Sequence, residues 1–158
     1  MTFAARCLIL ACGNTLRSDD GIGPFLASWA EENWREDARV RVLSEHQWTP
    51  EMAEEVAGAE TVVFVDCSLE QSPGQILIRD ICSASLKPGL VTHHLGAAEL
   101  LGVAQDLYGK NPRKACLLTI GAANIELGEG LSEAVQNALP EAQRMLDASV
   151  QRLLDHLA

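Results

Sequence analysis

Two aspartates stand side by side, Asp19 and Asp20, within residues 11–25, ACGNTLRSDDGIGPF. An apolar run ends just before them and Gly-Ile-Gly follows. A glycine-rich link between a strand and a helix ordinarily cradles phosphate with its backbone N–H groups. Here a phosphate would meet Asp19, Asp20 and, from another apolar run, Asp66, each repelling it by about 1 kcal/mol or more at about 4 Å even when well screened. Arg17 is the only basic side chain in the link. A divalent cation reverses the sign of every one of these interactions. Two carboxylates and one imidazole can hold zinc or nickel and leave coordination positions open. The imidazoles on offer are His93 and His94, at the start of a helical stretch, where the helix dipole favours the neutral, metal-binding form.

Other polar residues fall after apolar runs in the same way. Asn14 follows the first run; Glu45, His46 and Gln47 follow the second; Cys67 and Ser68 follow Asp66; Asn124 and Glu126 follow the last. Each has an ordinary structural use. Asp19 or Asp20 can cap a helix, and capping is the commoner role for either taken alone. Asp66 can end a strand in a turn, and His93 and His94 can cap a helix or face water. Cys67 reads as a small buried residue, because nothing nearby in sequence would lower its pKa. Only convergence on one rim raises cation binding above these uses.

Convergence requires elements to deliver it. Five short runs read as strands: residues 7–12, 38–44, 61–66, 75–81 and 115–121. The first, third and fifth are nearly all apolar, as in parallel strands covered on both faces. The second and fourth carry Arg39, Arg41, Arg79 and Asp80, which suits edges. Helical periodicity fills the gaps: Ile22, Phe25, Leu26 and Trp29 on one face to about residue 35, a short helix over 50–59, another over 94–108, and a last one from about Val135 to Leu153 with a kink or restart expected at Pro140. The eight residues CSLEQSPG between strands three and four are too few for a parallel crossover, so strand four is expected to be an antiparallel edge. The order β-α-β-α-β-β-α-β-α implies a three-layer α/β/α sandwich around a mostly parallel five-stranded sheet. Ligands of such sheets bind beyond the carboxyl ends of the parallel strands, where the polar residues fall.

The chain's 158 residues suit one domain spanning 1–158. A net charge of −10 argues against nucleic acid and anionic membrane surfaces as partners, and for a cation or a partner with basic segments. Five cysteines without Cys-x-x-Cys, three of them inside apolar runs, suit a reducing compartment. Residues 9–12, ILAC, look like a lipoprotein cleavage box, but the apolar run before Cys12 falls short of the roughly 7–15 residues of a signal peptide. A cytoplasmic location is expected.

ILACGNTLRSDDGIGPFLA, VVFVDCS and THHLGAAELL, in this order and spacing, resemble the nickel-iron hydrogenase maturation endopeptidases, and LTIGAANIELGEGLSEAVQNAL is similar to that family's closing segment. The resemblance implies removal of a C-terminal extension from a hydrogenase large-subunit precursor after nickel insertion. The nickel is carried by the substrate and serves as the recognition signal, and no organic cofactor is expected. Carried over, the metal contacts are Asp20, Asp66 and His93, with His94 the second choice for the imidazole. Asp19, Asp20 or Asp66 is the expected general base, and Asn14, His46 and His94 are candidate substrate contacts. EHQWTPEMAEEV, residues 45–56, replaces the glycine-rich stretch of many members and resembles the branch serving bidirectional NAD(P)-linked hydrogenases. GAAN at 121–124 lacks the Glu-Pro often found there. A monomer forming a transient complex with the precursor is expected. The rival reading is a nickel-sensing chaperone that binds the precursor without cutting it.

Overall fold

A computed structural model describes residues 5–84 and 95–157. Its sheet has five strands: β1 (Cys7–Cys12), β2 (Val40–Glu45), β3 (Thr61–Ser68), β4 (Ile76–Ile81) and β5 (Lys114–Gly121). Their order in space is β2-β1-β3-β5-β4, with all neighbours parallel except β4 against β5. The short connection after β3 thus does what its length requires, sending β4 to the edge in the opposite direction.

Helices α1 (Ile22–Asn33) and α4 (Glu133–His156) cover one face, and α2 (Ala53–Gly58) and α3 (Ala97–Tyr108) the other. The alternation of β1 explains both cores. Cys7, Ile9 and Ala11 pack with Leu26, Leu146 and Val150, whereas Leu8 and Leu10 pack with Val56, Leu100 and Leu101. Of the kink or restart expected at Pro140, the restart does not occur, since α4 runs through it without interruption. Pro140 lies on the exposed side of the helix, where water can serve the carbonyl that its missing N–H leaves unpaired. No helix among the described residues is long and apolar enough to cross a membrane.

One topological consequence matters for the site. The chain leaves β1 towards β2 on one side and later places β3 on the other side of β1. The crevice at the carboxyl ends of β1 and β3 is therefore a switch point, the usual ligand position in open α/β sheets.

Candidate functional site

Asp66 lies in β3, which runs two residues further than its apolar pattern suggested, and Asp20 lies in a single 3-10 turn, Ser18–Gly21, between β1 and α1. The turn is drawn tightly over the end of β1. A side chain at Gly13, where φ is +148°, would stand 2.0 Å from the Asp20 carbonyl oxygen. At Gly23 a Cβ would stand 2.2 Å from the Cys12 carbonyl, so α1 can start against β1 only with glycine there. The glycines of the opening motif thus serve close packing that aims Asp20 at the crevice.

Asp20 and Asp66 meet there, and Cys67 joins them: one ligand atom from each lies within 4.8 Å of the others. The Asn14 amide donates to Asp20 Oδ2 at 2.7 Å, and the Cys67 thiol donates to Asp20 Oδ1 at 3.1 Å. Asp66 Oδ1 accepts from the Cys67 amide at 2.8 Å. Burial pushes the Asp66 carboxyl up to about 6; hydrogen bonds from Cys12 and Cys67 act against this, and the charge of Asp20 adds to it. Burial first, and then the adjoining carboxylates, push the thiols of Cys12 and Cys67 well above the ordinary range. Both stay protonated and donate, so neither is poised as a nucleophile.

Cys12, Asp20 and Asp66 line a pocket of about 510 Å³ together with Asn14, Arg17, His46, Gln47, Trp48 and Ile125. His46 lines the pocket and is exposed. The side-chain oxygen of Asn14 accepts from the Leu16 amide at 2.9 Å, which shapes the loop, while its own amide holds Asp20. Leu95 and Gly96 also line the pocket. His93 and His94 lie outside the described residues.

Asp19 has a different place from the one expected of a general base. It is 0% exposed and is absent from the pocket wall. Its Oδ1 accepts from the Ser132 amide at 2.7 Å, and its Oδ2 from the Ala123 amide at 2.8 Å and the Ser132 hydroxyl at 2.8 Å. Burial alone would raise its pKa, but the bonds from Ser132, Ala123 and Asn124 outweigh it and hold the carboxyl below its usual value. Asp19 does not cap α1 either, which has no side-chain cap. It pins the opening loop to the segment between β5 and α4 instead.

Two residues of the site were not singled out by sequence. Cys67 read as core packing, yet its position next to a strand-end aspartate was a usable signal. Trp48 is 4% exposed and meets Phe64 edge-on, with ring centroids 5.2 Å apart, forming an apolar wall of the pocket. Nothing in its local sequence marked it.

No protein-family model and no curated protein matches the chain. Solved structures do. The hydrogenase maturating endopeptidase HybD of E. coli superposes with a TM-score of 0.73, covering 93% of each chain at 22% identity. This is the fold of the hydrogenase maturation endopeptidases. The hydrogenase 2 maturation peptidase of a Thaumarchaeota archaeon matches over 92% of this chain and 98% of its own at 25% identity, with a TM-score of 0.66. The nickel-iron hydrogenase maturation protease HybD of Thermococcus kodakarensis matches over 92% and 99% at 24% identity, also with a TM-score of 0.66. Each of these matches covers at least 92% of both chains.

Proposed function

We propose that the chain is an endopeptidase that removes the C-terminal extension of a nickel-iron hydrogenase large-subunit precursor after nickel insertion, recognising the bound nickel through Asp20, Asp66 and His93. The observation that carries this reading is the pairing of Asp20 with Asp66 at the switch point of a maturation-endopeptidase fold. Nickel arrives as part of the substrate and supplies Lewis-acid polarisation beside the scissile bond. The chain's own residues supply position. Asp20 is fixed by the Asn14 amide and the Cys67 thiol, and Asp66 by the Cys67 amide, so neither carboxylate must reorganise when a cation approaches. With Asp19 engaged elsewhere, the general base falls to Asp20 or Asp66. The substrate contacts in this reading are Asn14 and His46, which line the pocket, and His94.

The same reading gives a monomer in transient complex with the precursor and, in keeping with five free thiols, a cytoplasmic location. The experiment is the intact mass of the precursor, nickel-loaded and nickel-free, after incubation with the chain and with Asp20→Ala. The expected result is loss of a C-terminal peptide from the loaded form alone, abolished in the variant. A stable complex without any mass change would instead identify the chaperone. Cleavage of both forms would remove nickel as the signal.

A further inference from the structure

The loop after β1 and the loop after β5 are joined into one ridge above the pocket. Arg17 and Gly128 form an isolated parallel β-bridge. The Ser18 amide donates to the Gly128 carbonyl at 2.9 Å, the Gly128 amide to the Leu16 carbonyl at 2.9 Å, and the Ser18 hydroxyl to the Glu126 carbonyl at 2.8 Å. The Asp19 amide adds a bond to the Asn124 carbonyl at 3.0 Å, beneath which its buried carboxylate ties the same two segments. Ser18 is held at φ +52°, a left-handed conformation that costs a non-glycine residue on the order of 1 kcal/mol. The ridge is thus a built element.

What this element presents to water is apolar. One residue back from the bridge on each segment come Leu16 and Leu127. They are 55% and 79% exposed. On the outer flank Thr15, Ser18 and Leu131 share a groove of about 510 Å³ with Trp29 and with Phe25, itself 44% exposed. On the inner flank Asn14, Arg17, Asp20 and Ile125 line the carboxylate pocket. Two exposed leucines thus ride on a hydrogen-bonded ridge between the carboxylate pocket and the α1 groove, and large apolar side chains held in water beside a site mark a place for docking.

Charge selects the occupant. Glu126 and Glu129 border the leucines, with Arg17 the one basic residue on the ridge, and the chain carries −10 overall. Two copies meeting through this face would set like charges against each other. A different protein carrying an apolar patch edged by basic side chains would not. We propose that the Leu16–Leu127 ridge is the docking surface for the substrate protein, which meets it with such a patch next to the segment being cut. This inference rests on the peptidase reading above.

The test is a Leu16→Ser/Leu127→Ser double variant assayed on nickel-loaded precursor by rate of mass loss, with binding followed on immobilised precursor and oligomeric state by light scattering. Both side chains face solvent, so an unchanged melting temperature is expected and controls for folding. KM and the dissociation constant should rise roughly tenfold or more with kcat unchanged, and the wild type should be monomeric. Normal KM in the double variant, with the wild type still cleaving, overturns the ridge and leaves the peptidase reading standing. A wild-type dimer that the double variant dissolves assigns the face to a second copy and overturns it too. A wild type that neither binds nor cleaves the precursor removes the peptidase reading and the ridge together.

Discussion

Asp66 and Asp19 carry opposite pKa shifts, which separates what each does. Asp66 has its carboxyl raised to about 6, chiefly by burial. Below the ordinary carboxylate pKa it is protonated in both folded and unfolded chains and costs nothing. As pH rises from about 4 to about 6 the unfolded chain ionises first, and stability falls by on the order of 2–3 kcal/mol before levelling off. Asp66→Asn should therefore be more stable than the wild type at pH 7.5 in the presence of a chelator, and the gap should close near pH 4. Urea unfolding at the two pH values checks this; equal midpoints at pH 7.5 would count against it. Asp19 is the reverse case. Its lowered pKa gives stability that is present above the unfolded value near 4 and lost as pH falls through the depressed folded value. Asp19→Asn turns an N–H towards either Ser132 or Ala123, both of which donate. It should lose about 2–4 kcal/mol at neutral pH by the same unfolding measurement. Asp66 weakens the fold where it meets Asp20, and Asp19, in the loop two strands earlier, holds the loop that carries Asp20 there.

At the scale of elements, the site depends on where two strands end and how abruptly the chain turns after them. Gly13 and Gly23 let the 3-10 turn lie against β1, bringing Asp20 to the end of β3. Helix α4 packs on the same face as α1, and its N-cap Ser132 is also the main partner of Asp19. Its Ser132 hydroxyl accepts from the Val135 amide at 3.3 Å, so one residue both starts the helix and anchors the ridge. Within this helix Pro140 is a cost without a visible return: it is exposed and interrupts no packing. Pro140→Ala should restore one backbone bond and raise stability by roughly 1–3 kcal/mol. Thermal unfolding would show the gain, and a loss of stability would mean that the proline shapes a contact after all.

For the whole molecule the dominant property is charge. At −10 the chain attracts a partner with basic segments from a distance, and that attraction decays within about 10 Å at 0.1 M salt. Association with the precursor should slow as salt rises from 50 to 300 mM, whereas the dissociation rate, set by the apolar ridge and the pocket, should change little. Stopped-flow association at several ionic strengths measures both, and a salt-independent association rate would rule out steering.

Most of the fold could be read from the chain because strand burial and strand alternation are local properties. Residues 7–12 predicted β1 at its observed bounds, and an eight-residue link forced β4 to the antiparallel edge. Asp20 and Asp66 were legible because a carboxylate after an apolar strand has few places to go except the rim. The role of Asp19 was not, since its partners, Ala123 and Ser132, lie more than a hundred residues away. Identical side chains at neighbouring positions have the same local signature, and only packing decides which faces the crevice and which the interior. Trp48 escaped because its surroundings come from other strands, whereas Cys67 had a usable signal in the aspartate before it. Sequence by itself determined the elements, their order and the sign of the charge at the rim, all properties of residue type and spacing. The tertiary structure alone decided which carboxylates meet, what holds them, and that the Leu16 and Leu127 segments are bridged, because those contacts join segments that the chain keeps far apart.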